Sequence, residues 1–293
     1  MGVNTGSLGV TGGADRLLRD LIHERTGLFF DNGKSDILAD KLSPLVIERG
    51  FTSLLDYYYL LKYDDAAQGE WMSVMNALSV PETYFWREMD QVRALVEQVV
   101  PQWFAVPGAG PLKIWSAACA TGEEPLTVAM ALDEAGWLGR APIEIHASDA
   151  STAAVERARR GVYRERSFRN LSPELRARYF TQEAATKTWR IDAKLHAAVR
   201  WGVVNLMNEA EVAPWASANV IFCRNVFIYF SDQTIGRTVR SFAAHIRPPG
   251  YLFVAASESL LRLSADFELQ EIGSAFVYVK RPGLTDRLPL RGQ

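Results

Sequence analysis

Residues 114–125 read IWSAACATGEEP. An apolar run of the β type ends, small residues follow, and a single glycine precedes two glutamates and a proline. This is how a strand turns into a helix. Ala117, Ala118 and Ala120 keep the turn narrow, and Gly122 admits positive φ or close backbone approach. Glu123, Glu124 and Pro125 suit a first helical turn, where acids complement the dipole and proline needs no donor. Such a junction commits the chain to an α/β fold with a ligand crevice beyond the carboxyl ends of its strands.

The rest of the chain agrees. After residue 110, LKIWSA, EEPLTVAMALDEAG, IEIHAS and STAAVERARRG alternate, followed later by NVIFC, TIGRTVRSFAAHI, GYLFVAAS and AFVYVKR. Alternating β-rich and helical runs predict a mostly parallel sheet covered on both faces. FELQEIGSAFVYVKR predicts two strands about a short turn, and hence a mixed sheet edge. TKTWRID and AAVRWGVV read as short antiparallel strands, which makes residues about 164–202 an inserted β-subdomain.

Residues about 14–78 have helical spacing instead. ADRLLRDLIHERTG stops at Gly27. SDILADKLSPLVIERG runs from an N-cap at Ser35 to Gly50, with Pro44 kinking or splitting it. SLLDYYYLLKY and EWMSVMNALSV add two more helices, and the run Tyr57–Tyr59 reads as core and rim packing. The expected organisation is a disordered start (1–13), a helical domain (14–78), a linker (79–92), an α/β domain (93–283) carrying the insert, and a loose tail (284–293).

Bulk properties exclude several classes. A net charge of −2 gives no global drive toward nucleic acid or anionic membrane, and ERARRGVYRERSFR reads as a solvated helix with its exit loop. No apolar run approaches the roughly 20 residues of a membrane span. The N-terminus lacks a signal-peptide core, and Gly6 stands where a myristoylation pattern wants Ser or Thr. Cys119 and Cys223 lie in apolar runs and read as buried thiols of a cytoplasmic chain. The four histidines and two cysteines have no metal-ligand spacing, so no metal is expected.

The ligand follows from the loop chemistry. One glycine is too few for a G-x-G-x-x-G loop, and carboxylates repel phosphate where a helix N-terminus should attract it. A cationic, hydroxyl-bearing ligand fits, and S-adenosylmethionine carries a sulfonium, an ammonium and a ribose diol. Asp149, closing the second strand, is placed to accept from ribose hydroxyls. Arg224 and Asn225 follow the strand NVIFC directly and face the same crevice, with Tyr229 close behind. Each of these residues alone is also explained by capping or aromatic packing.

In combination the blocks VPETYFWRE, IWSAACATGEEP, ASDAS, VNLMN and CRNVFIYF resemble, in order, the CheR-type protein-glutamate O-methyltransferases that modify chemotaxis receptors. The resemblance spans residues about 14–282 and implies a Rossmann-like methyltransferase sheet, a small N-terminal helical domain and an inserted antiparallel β-subdomain. It implies S-adenosylmethionine as cofactor and S-adenosylhomocysteine as product. It assigns Thr83, Arg87, Glu123, Asp149, Asn205, Leu206, Arg224 and Asn225 to the cofactor, and Arg87 and Tyr229 to the methyl-transfer centre. The implied partner is the cytoplasmic helical domain of a methyl-accepting chemoreceptor, met by a monomer.

The chain departs from the family pattern in four places. Trp86 replaces a second Phe in the T-x-F-F-R block. Pro81 stands where Asn is frequent, so one cofactor hydrogen bond is expected to be missing or replaced. The second helix offers mainly Lys41 and Arg49 in place of a strongly basic face. The connection TQEAATKT has no glycine, unlike family members that dock on a receptor's C-terminal peptide, so no such tether is expected. The competing readings are a methyltransferase for RNA or a small molecule, and a cofactor-binding module without methyl transfer.

Overall fold

The computed structural model describes residues 13–64 and 67–280. The readings for residues 1–12 and for the tail beyond 280 lie outside the described residues. The chain divides into two units. One holds the described residues up to Val80 together with Tyr229–Ser231, and the other holds Pro81–Ile228 and the chain from Asp232 onward.

The first unit is helical: α1 (Ala14–Thr26), α2 (Ser35–Glu48), α3 (Leu54–Tyr63) and α4 (Ala67–Leu78). Gly27 ends α1 in the left-handed region at φ 79° and donates its N–H to the His23 carbonyl, the expected glycine stop. Pro44 neither splits nor ends α2, which runs through it as a single helix. Ser35 is not the cap of α2: Lys34 precedes the helix, and the Ser35 hydroxyl donates to Asp15 at 2.7 Å. Leu18, Ile22, Leu38, Leu42, Val46, Leu61 and Val74 form the core. The tyrosine run divides along the helix, with Tyr57 and Tyr58 buried and Tyr59 turned out to stack on Tyr63 at 6.0 Å. Within this unit the segment 229–231 meets the end of α1: Phe29 N donates to the Tyr229 carbonyl at 2.8 Å, and His23 lies 3.0 Å from the Ser231 hydroxyl.

The second unit opens with a helical stretch, α5 (Met89–Ala94), a π-helical turn (Leu95–Val99) and α6 (Val100–Phe104). Then come β1 (Leu112–Ala117), α7 (Glu123–Glu134), β2 (Ile143–Asp149), α8 (Thr152–Arg160), β3 (Val162–Tyr163), α9 (Pro173–Tyr179), β4 (Phe180–Glu183), β5 (Thr188–Ile191), α10 (Ala193–Ala197), β6 (Val199–Val203), α11 (Glu209–Ala216), β7 (Val220–Phe222), α12 (Asp232–His245), β8 (Gly250–Phe253), β9 (Glu268–Ile272) and β10 (Ala275–Lys280).

Seven strands form one Rossmann-like sheet in the order β6-β2-β1-β7-β8-β10-β9. The first five are mutually parallel, and β10 is antiparallel to both β8 and β9. Burial explains the central strands: Leu112, Ile114, Trp115, Val220, Ile221 and Phe222 are fully enclosed, as a sheet covered on both faces requires. The final hairpin supplies the mixed edge that its sequence predicts.

A separate sheet, β3-β5-β4, is antiparallel and short. Phe85, Tyr163, Phe168 and Phe180 pack together beneath it, with ring centroids 4.8–5.4 Å from Phe85. The expected extent of the insert needs one correction. AAVRWGVV does not belong to it, because Val199–Val203 pairs in parallel with Ile145–Asp149 and closes one side of the main sheet. The period-2 pattern reports a strand but not its partner.

Candidate functional site

The strand order reverses between β1 and β7: from β1 the chain proceeds outward through β2, and from β7 outward through β8. Ligands of such sheets sit beyond this switch point. The backbone there is unusual. Among the described residues, Trp86, Glu88, Ala118, Ala120, Lys187 and Asn225 are the non-glycine residues with positive φ, and all but Lys187 belong to the loops at this edge. Such conformations cost about 1–3 kcal/mol each and persist only where the surroundings hold them.

The loop after β1 is held from β2. Cys119 N donates to the Ser148 carbonyl at 2.9 Å, and Ala120 N donates to Asp149 Oδ2 at 2.9 Å. The other Asp149 oxygen accepts from Ser151 N at 2.8 Å. Gly122 begins α7 at φ 93°, and a Cβ there would lie 2.8 Å from the Trp201 indole. Its glycine therefore serves both the turn and packing against β6. Glu123 is 2 % exposed. It accepts from the Thr121 hydroxyl at 2.6 Å and the Ser167 hydroxyl at 2.9 Å. Glu124 accepts from the Ser116 hydroxyl at 2.7 Å. Burial pushes the carboxyls of Glu123, Glu124 and Asp149 above the ordinary carboxylate range, and their hydrogen bonds oppose that shift. For Glu124 the positive charge of Arg224 is the largest opposing influence.

The second side of the site is the turn before α5. Phe85 N donates to the Ser167 carbonyl at 2.8 Å, and Trp86 N to the Thr127 hydroxyl at 3.2 Å. Trp86 and Glu88 take φ 66° and 49°, with Arg87 between them. The Arg87 guanidinium donates to the Glu82 carbonyl at 3.1 Å and lies 5.4 Å from the Tyr84 ring. Asn225, at φ 60°, reaches Glu88 with its side-chain amide at 3.4 Å. Glu258 fixes the loop after β7 by accepting from the N–H groups of Asn225, Phe227 and Ala255 at 2.8–3.0 Å.

The structure thus brings Glu123, Asp149, Arg87, Arg224 and Asn225 to one edge of one unit. Thr83 is half-buried on the approach to the Arg87 turn. Asn205 and Leu206 follow β6 beside Asp149, whose carbonyl accepts from Val204 N at 3.1 Å. Tyr229 is grouped with the helical unit. Sequence reasoning missed Glu88 and Glu258 as builders of the site and gave Glu124 no site role of its own. Glu88 closes the block VPETYFWRE but has no assigned role there, Glu258 lies in none of the blocks, and both meet Asn225, which is distant in sequence.

The donor set fits S-adenosylmethionine. Carboxylates, not a bare ring of N–H donors, stand at the mouth of α7, which suits a sulfonium and an ammonium and repels a phosphate. Asp149 at the end of β2 is placed for a ribose diol. Among the described residues no group of His, Cys, Asp and Glu could hold a metal ion, and no helix is long and apolar enough to cross a membrane. Cys119 and Cys223 are buried free thiols.

Comparison with known proteins agrees with this geometry. Residues 15–79 match the family described as CheR methyltransferase, all-alpha domain, and residues 81–276 match CheR methyltransferase, SAM binding domain. Chemotaxis protein methyltransferase 2 of Vibrio cholerae is 35% identical over 264 residues, covering 89% of this chain and 91% of that protein. The chemotaxis protein methyltransferase of Escherichia coli is 33% identical, covering 87% of each. Chemotaxis protein methyltransferase 1 of Pseudomonas aeruginosa is 28% identical, covering 89% of this chain and 96% of that protein.

Proposed function

Because the chain belongs to the CheR methyltransferase family, we propose that it methylates glutamate side chains of a methyl-accepting chemoreceptor. The products are glutamate methyl esters and S-adenosylhomocysteine. One observation carries this reading: an acidic cofactor edge and an arginine displayed on a strained turn occur together in one α/β unit.

S-adenosylmethionine supplies an activated methyl group when bound. Glu123 and Asp149 hold its charged and hydroxyl groups, and Thr83, Asn205, Leu206 and Asn225 complete the contacts. The acceptor glutamate has a pKa of about 4.3 and is ionised at neutral pH, so the chain supplies no general base. Its residues align the acceptor and exclude water, which favours an attack that consumes charge. Arg87 orients a carboxylate by its planar fork, and Tyr229 positions the acceptor oxygen. Too tight a grip by Arg87 would hold the nucleophile back, so its role is orientation. The helical unit meets the receptor's cytoplasmic helices, and the enzyme acts as a cytoplasmic monomer. Neutralising glutamates on a helical bundle changes its packing and so biases signalling.

The test is methyl transfer from radiolabelled S-adenosylmethionine to membranes bearing candidate receptors, followed by mild alkali. A carboxyl ester releases methanol under base, whereas N-methyl groups survive. Base-labile label on a receptor band is the expected result. Base-stable label would mean another acceptor class. Cofactor binding with no label on any receptor would promote a binding module over an enzyme.

A further inference from the structure

The family resemblance places Arg224 among the cofactor contacts, but its surroundings give it another role. Its side chain is 2% exposed, and both arms of its fork are directed at protein groups. One arm of the guanidinium, Nη2, donates to the Arg87 carbonyl at 2.8 Å and lies 3.5 Å from Glu88. The other arm, Nη1, lies 3.5 Å from Glu124. Its shortest bond therefore goes to the backbone of the turn that displays Arg87. Its Nε is buried and has no partner, so the group is not spent on a closed ion pair.

That turn needs holding. Trp86 and Glu88, either side of Arg87, are both left-handed, and neither is glycine. The Arg87 side chain is one-quarter exposed, and the groups it meets, the Glu82 carbonyl, the Tyr84 ring and Glu88 at 3.7 Å, all lie within five residues of it, so the backbone of the turn sets its direction. Phe85 and Trp86 are tied on the upstream side by Ser167 and Thr127. Downstream, Arg224 holds the Arg87 carbonyl, while Glu88 is met by Asn225 and by Ala256 N, both at 3.4 Å. Glu124, the far partner of Arg224, is the second residue of α7, immediately after the cofactor loop.

We propose that Arg224 is a positioning residue: its buried fork holds the strained turn that presents Arg87 and, through Glu124, couples that turn to the cofactor loop. The two arginines and two glutamates balance in charge, so the cluster can be buried without a net charge. A lysine at 224 would keep the charge and lose the second arm of the fork. This inference rests on the reading of Arg87 as a methyl-transfer residue.

The experiment compares Arg224→Lys, Glu124→Gln, Arg87→Lys and the double variant Arg224→Lys/Arg87→Lys. Cofactor affinity is measured by calorimetry, turnover by receptor methylation, and opening of the segment around Arg87 by hydrogen exchange. For Arg224→Lys, kcat is expected to fall about tenfold or more while the S-adenosylhomocysteine Kd moves less than about threefold. Amide exchange at 87–90 should accelerate. The double variant should be no slower than Arg87→Lys alone, because a residue acting only through Arg87 cannot add to its loss. Glu124→Gln should accelerate the same amides more weakly. A loss of cofactor affinity matching the loss of kcat would make Arg224 a cofactor contact and overturn the proposal, as would additive losses or unchanged exchange. Should Arg87→Lys itself keep wild-type turnover, the reading of Arg87 falls, and the exchange result still decides whether Arg224 holds the turn.

Discussion

Each unit sets a glutamate beside an arginine, and the two arrangements are built differently. In the helical unit Glu70 is 2% exposed and accepts from the Tyr57 hydroxyl at 2.6 Å and from Arg49 at 2.5 and 2.7 Å. Regular helices surround it, and the Arg49 side chain is half in water. In the α/β unit Arg224 is enclosed, its carboxylate partners stand off at 3.5 Å, and neighbouring backbone is left-handed. The first arrangement is closed and relaxed, as a residue that only staples helices should be. The second is open and strained, which is the signature of a site whose geometry serves something other than stability.

Removing the acid proposed to face the ligand should show the difference most strongly. Asp149→Asn keeps the size of the side chain but loses the charge and one of two accepting oxygens. Its affinity for S-adenosylhomocysteine, measured by calorimetry, should fall about a hundredfold, a larger effect than the stability lost by stranding the N–H of Ala120 or Ser151. An unchanged Kd would remove Asp149 from the cofactor site.

Glu70→Ala should do the reverse. It leaves the Tyr57 hydroxyl buried without an acceptor, a loss of about 1–3 kcal/mol. Burial and the neighbouring carboxylate already push the Tyr57 hydroxyl's pKa far up, so it cannot escape by ionising. Thermal unfolding should begin earlier, while cofactor affinity stays at the wild-type value. A Glu70 variant with weakened cofactor binding would erase the distinction between the two units.

The acidic edge also has a pH signature, with opposite signs for stability and binding. Burial raises the carboxyls of Glu123 and Asp149 above their unfolded values, so the folded state takes up a proton more readily. Their contribution to stability is therefore fully present at low pH and declines as pH rises through the raised values. A cationic ligand favours the ionised carboxylates, so its affinity should weaken on acidification before an ordinary carboxylate, near pH 4, would respond. A binding profile that stays flat down to the ordinary carboxylate range, about pH 4, would mean that neither acid touches the ligand's charge.

Much of this contrast was legible in the sequence, for identifiable reasons. The junction at residues 114–125 shows an apolar run, a lone glycine and an acidic first turn, and each of those is a local property. So are the Gly27 stop of α1 and the final hairpin. Pairing across the chain is not local. AAVRWGVV has the pattern of a strand, but nothing in it says that its partner is β2 and not β5. Glu88, Glu258 and the burial of Arg224 were invisible for the same reason, since each depends on groups more than 30 residues away. Left-handed φ at Trp86 and Glu88 breaks local preference altogether, and no propensity scale would place such a residue there.

The smallest effect is expected at the insert. The hairpin between β4 and β5 turns through residues 184–187, and Lys187 takes φ 53° where a glycine would be unstrained. The family resemblance implies a glycine in this connection where a receptor's C-terminal peptide is gripped, and TQEAATKT has none. If recognition rests with the helical unit, deleting a cognate receptor's C-terminal peptide should change the methylation rate less than about twofold, within the range of weak surface contacts. A loss of tenfold or more would move part of the recognition into the α/β unit. The division drawn between a relaxed recognition unit and a strained chemical one would then have to be redrawn around the β4–β5 hairpin.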